Sequence, residues 1–283
     1  MPALSIIACR IFEDEIIDVI ENDPEIEEVI VVENENCFGL VQKLNDTGIP
    51  YKLMPIEKIT TIPKKENNFN VSLTVNILEL AFHGEPRNLK EFVYGNVKNM
   101  ASNSDGIFLF YGLCGNVLRK LEKDFESFPC PVSILKDDNG KVVDDCIGTL
   151  VGGRKSFLDL MSSFNRTSTL LMTPMWVHNW KEMFKHSGFV EDPDDIETTK
   201  FVLESMGYKT VVKVNNGLSY IKDFEKKVED FAKLFDFNII EIEGNLEITR
   251  NSYNRFKSHV ISHTQIMENT NMMYREGVTA STM

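Results

Sequence analysis

Apolar residues along the chain form short, β-branched runs that alternate with segments of helical spacing. The run "GIFLFY" is apolar at nearly every position, which is typical of a strand buried on both faces of a parallel sheet. Eight strands are predicted in this way, at 4–8, 28–32, 51–54, 106–111, 132–135, 167–172, 210–214 and 239–242. Helical patterns predict helices in "EDEIIDVIENDP", at 73–80, from 117 to about 125, over 218–237 and near 253–267.

Strand–helix alternation favours an α/β protein with a mostly parallel sheet and helices on both faces. Eight strands also fit a closed β/α barrel, but some connections are too short for eight full-length helices. We therefore expect an open, Rossmann-like sheet in one or two lobes. Residues 1–250 are predicted as the α/β domain, and 251–283 as a C-terminal helix or tail. Two stretches, 57–70 and 187–199, are predicted as loops, the second as a connector between lobes.

Composition and charge narrow the classes of partner. Hydrophobic residues make up 42% of the 283 residues and charged residues 26%, which is ordinary for a globular protein. The net charge of −13 disfavours binding to nucleic acid or to an anionic membrane surface. No apolar run approaches the roughly 20 residues that span a bilayer, and no leader pattern precedes the first strand. A cytoplasmic location is expected.

Four of the five cysteines follow predicted strands. They are Cys9, Cys37, Cys114 and Cys146, after the first, second, fourth and fifth strands; Cys130 precedes the fifth. Ligands of open parallel sheets bind beyond the carboxyl ends of the strands, so these four thiols are predicted to share one edge. Thiolates suit zinc or an iron–sulfur cluster, and the sequence therefore predicts a metal site there.

Two other interpretations of the cysteines stay open. Free cysteine often packs in a core as a small hydrophobe. A metal-free site could instead use Cys114 alone, because "YGLCGN" places it between Gly112 and Gly115 before a predicted helix, where its pKa would be lowered. The glycines let the backbone turn tightly and leave space around the sulfur.

Further candidate residues lie in three other rim loops. His178, in "TPMWVHNW", is a candidate ligand or general acid/base, although a helix starting at Pro174 explains the same pattern. Arg154, in "GTLVGGRKSF", could contact an anionic cofactor. Asn216 and Gly217 could offer amides to a ligand or simply form a capped turn.

Five motifs together resemble the family known as domain of unknown function 1638. They are "IIACRIFEDE", "YGLCGN", "DDCIGTLVGGR", "TPMWVHNW" and "IIEIEGNLEI", and they extend over most of 4–250. The resemblance implies cysteines at Cys9, Cys114 and Cys146, with a histidine in other members near Cys37. It also implies a role in anaerobic one-carbon metabolism beside corrinoid-dependent methyltransferases. The chain lacks the Asp-x-His-x-x-Gly signature of a corrinoid carrier.

The expected function is that of a metal-binding protein for methyl-group metabolism. If catalytic, the site would support zinc-dependent methyl or thiol transfer, or iron–sulfur electron delivery, with Cys114 and His178 as the reacting groups. The partner would be a corrinoid protein or a methyltransferase, or a second copy of the chain. The alternative is a non-catalytic accessory or assembly protein that binds a methyltransferase, with purely structural cysteines.

Overall fold

Six parallel strands form the larger of two sheets in the computed structural model, which describes residues 2–59, 70–80, 84, 86–164 and 168–280. The strands are β1 (Ala3–Cys9), β2 (Ile26–Val32), β3 (Lys52–Met54), β4 (Val71–Leu78), β5 (Gly106–Phe110) and β6 (Val132–Ile134). Their order across the sheet is β3-β2-β4-β1-β5-β6. The sheet is open, so the predicted Rossmann-like class is confirmed and the barrel is not formed by these strands.

Strand β4 corrects one prediction, because residues 73–80 were expected to be helical. The segment pairs with β1 through Ser72–Leu78 and with β2 on its other side. All eight of its residues are buried. A central strand is covered on both faces, so its apolar pattern resembles that of a buried helix.

Helices cover both faces of this sheet. The ranges are α1 (Glu13–Asn22), α2 (Phe38–Thr47), α3 (Ile56–Ile59), α4 (Pro86–Met100), α5 (Leu121–Asp124) and, at the C-terminal end of the described chain, α12 (Glu247–Ala280). Helices α1, α2 and α12 pack in the core on one face. Helices α3, α4 and α5 pack in the core on the other. The connection after β1 thus crosses one face and the connections after β4 and β5 cross the other, which opens a crevice at their carboxyl ends.

A second sheet follows, with the order β7-β8-β9 and all strands parallel. Its strands are β7 (Ser168–Met172), β8 (Tyr208–Asn215) and β9 (Asn238–Glu243). The remaining helices are α6 (Cys146–Leu150), α7 (Gly153–Ser163), α8 (Pro174–His178), α9 (Trp180–His186), α10 (Ile196–Ser205) and α11 (Phe224–Phe235). Met175, Met183 and Ile221 from this half join the core of the first sheet, so the two sheets share packing.

Several predicted boundaries differ from the structure. The helix expected at 117–125 is helical only at Leu121–Asp124, because Cys114, Gly115 and Asn116 all have left-handed backbone angles that precede a series of turns. The helix expected over 218–237 is shorter, at Phe224–Phe235. The segment 187–199 lies between β7 and β8 rather than between the two sheets. Most of the predicted loop at 57–70 lies outside the described residues.

The long C-terminal helix α12 completes the core of the first sheet. Phe256 stacks on Phe108 of β5 with ring centroids 4.9 Å apart. A Cβ atom at Gly106 would lie 2.3 Å from Val260, so glycine is needed there for the helix to approach the strand. Among the described helices, none combines the length and apolar character of a membrane span.

Candidate functional site

Three cysteines from separate rim segments line one cavity of about 770 Å³ at the carboxyl ends of β1 and β5. Cys9 ends β1, Cys114 follows β5, and Cys146 begins α6. The wall between them is mostly apolar, with Phe12, Leu80, Trp176, Met183 and Phe189 among its residues. We call this space the thiol cavity.

The loop that carries Cys114 is held against the segment that carries Cys146. The Leu113 N–H donates to the Val143 carbonyl at 2.8 Å, and the Cys114 N–H donates to the Asp144 carbonyl at 3.2 Å. A Cβ at Gly112 would lie 2.8–2.9 Å from backbone atoms of residues 144 and 145, so only glycine permits this approach. The backbone segments that carry the two cysteines are therefore held at a fixed spacing largely by these contacts.

Burial and mutual repulsion keep these thiols protonated. Burial first, and then the neighbouring Cys9, raise the pKa of Cys114 to about 12. Burial, the Asp145 carboxylate and the other two thiols raise the pKa of Cys146 well above its ordinary value. The prediction that Cys114 is a nucleophile with a lowered pKa is thus wrong, because the residue lies in a left-handed turn and not at a helix N-terminus.

Tyr111 adds a polar group to the thiol cavity. Its side chain is 2% exposed, and its hydroxyl has no hydrogen-bond partner among the described residues. Burial, and then Cys9 and Cys114, raise the pKa of Tyr111 well above its ordinary value. An unpaired buried hydroxyl is costly, so this O–H is available to a bound group.

Cys37 and Cys130 lie elsewhere. Cys37 is buried where α2 begins, and its thiol donates to the Asn34 carbonyl at 3.1 Å. It does not line the thiol cavity, because β4 separates β2 from β1. Cys130 precedes β6 and is buried at the opposite edge of the sheet.

The donor chemistry of the thiol cavity fits a soft metal. Within the described residues, no group of three or more His, Cys, Asp or Glu side chains is arranged to hold a metal ion as placed. Cys9 nevertheless raises the pKa of both Cys114 and Cys146, and Cys114 raises that of Cys146, as neighbouring thiols do. Thiolates such as those of Cys9, Cys114 and Cys146 are the ligand type that zinc and iron–sulfur clusters take.

A second cavity, of about 480 Å³, lies between the two halves of the chain and contains His178. Its lining includes Glu13, Gly39 and Lys43. The Lys43 ammonium lies 2.6 Å from Glu13 and 2.9 Å from Asp14, and all three side chains are at most 8% exposed. We call these three residues the buried charge cluster. His178 therefore lies in a different cavity from Cys114, which was predicted to act with it.

Electrostatics in this region follow from burial. Burial raises the pKa of Glu13 and of Asp14, against the opposing effect of Lys43. Burial would lower the pKa of Lys43, but Glu13 and Asp14 together raise it, so the lysine stays charged. Burial, then Lys227 and Lys43, lower the pKa of His178, which is neutral at pH 7.

The other predicted site residues are Arg154, Asn216 and Gly217. The first two contact carboxylates of the protein itself, and the third forms a turn. Arg154 lines the thiol cavity and pairs with Asp144 at 3.5 Å. Asn216 donates to Glu15 at 3.1 Å, and Gly217 occupies a left-handed turn. Neither Asn216 nor Gly217 lines the thiol cavity.

Sequence reasoning missed the buried charge cluster. The signal was "EDE" at residues 13–15, directly after a rim cysteine: three successive acids span most of a helical turn, so at least one must face inward. Lys43, which neutralises part of this charge, is 30 residues away and gave no local signal.

The comparison with protein-family models finds one match. The model of the family described as "Protein of unknown function (DUF1638)" matches residues 77–253, more than half of the chain. The matched segment includes Cys114, Cys146 and His178, while Cys9 and the buried charge cluster precede it. No curated protein and no solved structure matches the chain.

Proposed function

The chain belongs to the DUF1638 family, and we propose that it is a thiolate metal-binding protein. The ligands are Cys9, Cys114 and Cys146, and the metal is zinc or the iron of an iron–sulfur cluster. Cys37, which was expected as a fourth ligand, has no place in this proposal because it does not line the thiol cavity.

One observation carries the proposal: three thiols from three separate segments line the same cavity. Cysteines that served only as small core residues would have no reason to share one cavity. Thiols with raised pKa values repel one another as thiolates, and a bound cation removes that repulsion. Metal binding is therefore expected to release protons and to stabilise the fold.

Three protein ligands imply an open coordination position. A zinc ion held by three protein side chains keeps its fourth position for water or substrate, which distinguishes catalytic from structural sites. The Tyr111 hydroxyl, which has no hydrogen-bond partner among the described residues, also borders the thiol cavity and would be available to a substrate bound there. This layout supports methyl or thiol transfer to or from a bound sulfur compound. A role beside corrinoid-dependent methyltransferases is supported only by the resemblance of the motifs.

Metal content in matched cysteine variants tests the proposal. Protein purified without oxygen should contain stoichiometric zinc, or iron and sulfide with visible absorption. Cys9→Ser, Cys114→Ser and Cys146→Ser should each lose most of the metal, since thiolates bind these ions far better than hydroxyls do. Cys37→Ser and Cys130→Ser, which change buried cysteines outside the cavity, should retain it.

The controls separate ligation from folding. Any cysteine-to-serine change in a buried position costs stability, so loss of metal counts only where far-ultraviolet circular dichroism stays native. If the wild-type protein binds no metal, or if all five variants lose it equally, the thiolate site is wrong. The accessory-protein interpretation, with structural cysteines, would then remain.

A further inference from the structure

A groove of about 440 Å³ adjoins the thiol cavity, and its charge is opposite to that of the whole protein. It is lined by Arg87, Lys90, Glu91, Asn116, Val117, Arg119 and Lys120. Four cations thus face one carboxylate, in a chain whose net charge is −13. We call this surface the basic groove.

Three of these four cations make no ion pair within the described residues. Lys90 lies 3.6 Å from Asp124 and over the ring of Tyr94. In the part of the chain that the structure describes, Arg87, Arg119 and Lys120 make no ion pair. Three unpaired cations around one groove attract anions more strongly than dispersed surface lysines do.

The basic groove and the thiol cavity share two residues, Asn116 and Arg119. Both follow Cys114 on the same short loop, which passes through three consecutive left-handed residues at 114–116. That loop is fixed to residues 143 and 144 by backbone hydrogen bonds. The thiol of Cys114 and the guanidinium of Arg119 therefore belong to one short segment that borders both spaces.

We propose that the ligand of this site is an organic thiol whose far end carries a phosphate-type dianion. The inference rests on the proposed metal site, which takes the sulfur in its open position. The apolar wall of the thiol cavity contacts the carbon chain, and the basic groove binds the anion. Arginine suits this role because its planar guanidinium can donate two parallel hydrogen bonds to a phosphate.

Calorimetric titration with three synthetic probes tests the inference on the metal-loaded protein. The probes are 6-mercaptohexyl phosphate, 6-mercaptohexanol and hexyl phosphate. The first should bind about tenfold or more tightly than either of the others, because only it engages both regions. Raising the salt concentration should weaken both phosphates and leave 6-mercaptohexanol unchanged, since salt screens exposed charges.

Charge variants identify the groove. Arg119→Ala and Arg87→Ala should each weaken both phosphates by about tenfold. Arg87→Ala, which lies outside the thiol cavity, should leave 6-mercaptohexanol unaffected. Lys123→Ala is the matched control, since Lys123 is exposed on α5 near the groove but does not line it. Equal affinities for 6-mercaptohexyl phosphate and 6-mercaptohexanol would overturn the inference.

Failure of the metal site would appear earlier, because protein that takes up no metal cannot enter these titrations. If 6-mercaptohexyl phosphate binds no more tightly than hexyl phosphate, and Arg119→Ala weakens both, the thiol head of the proposed ligand is wrong while the metal site stands. The basic groove would then bind an anion without a thiol. A native circular dichroism spectrum is required of every variant.

Discussion

Adding a methyl group at Gly112 should separate the two halves of the thiol cavity. In the structure, a Cβ at this position would lie 2.8 Å from the Asp145 nitrogen and 2.9 Å from the carbonyl carbon and oxygen of Asp144. These are backbone atoms, so no side-chain rotation relieves the overlap. The Gly112→Ala loop must move, and the bonds from Leu113 and Cys114 to the facing carbonyls lengthen or break.

The expected cost can be worked from these contacts. Overpacking of a tight interior typically costs about 1–3 kcal/mol. Each of the two backbone hydrogen bonds contributes about 0.5–1.5 kcal/mol, and the loop shift weakens both. These effects overlap, so we expect Gly112→Ala to lower the free energy of unfolding by about 2–4 kcal/mol. A protein of ordinary stability, about 5–15 kcal/mol, remains folded after such a loss.

Urea unfolding at pH 7 measures the change, with Gly95→Ala as the matched control. Gly95 lies inside α4, and a Cβ there meets nothing within 4 Å. Gly95→Ala should therefore stabilise the protein, by up to about 1 kcal/mol, through helix propensity. Gly112→Ala should also lower metal affinity, because Cys114 moves relative to Cys146.

A small effect would refute this reasoning. If Gly112→Ala unfolds within about 0.5 kcal/mol of the wild type, the range of an ordinary surface substitution, and binds metal as tightly, the close approach does not hold the loop. The two sulfurs would then be positioned by something other than the backbone contacts described here.

Two further predictions concern buried charge. Lys43→Met leaves Glu13 and Asp14 without their cation, so we expect it to lower the free energy of unfolding, measured in urea at pH 7, by about 3–5 kcal/mol. Adding Glu13→Gln should restore part of that free energy. A loss below about 1 kcal/mol would contradict the ion pair. Burial first, and then Asp14, raise the pKa of Glu15 from 4.5 to about 8. Between pH 4.5 and about 8, the folded state therefore retains a Glu15 proton that the unfolded state has lost. The free energy of unfolding of the wild type falls as pH rises through this range. Glu15→Gln should match the wild type at pH 4 and exceed its stability at pH 8; parallel pH profiles would exclude the shifted carboxyl.

The sequence identified the fold class but could not give the order of the strands. Alternation of strands and helices is a local property, and it predicted the parallel open sheet correctly. The position of β4 between β2 and β1 is not local, and it is the reason that Cys37 is kept away from Cys9. The rule that places ligands beyond strand ends brought Cys114 and Cys9 to the same cavity because β5 directly adjoins β1.

The mistaken helix at 73–80 has a related cause. In "VSLTVNIL", Leu73 and Ile77 are four residues apart, as on a helix, while Val71, Leu73, Val75 and Ile77 also alternate as on a strand. Both patterns fit the same letters. Only the hydrogen bonds to β1 and β2 decide between them, and those partners lie 69 and 44–45 residues away along the chain.

The packing of α12 has a consequence for synthesis of the chain. Strand β5 emerges from the ribosome long before the helix whose Phe256 and Val260 cover it. Until then, the aromatic face formed by Phe108 and Phe110 has no cover from α12. The nascent protein thus carries an apolar surface, of the kind that holdase chaperones bind, until α12 has been synthesised, and that surface disappears only when the helix docks.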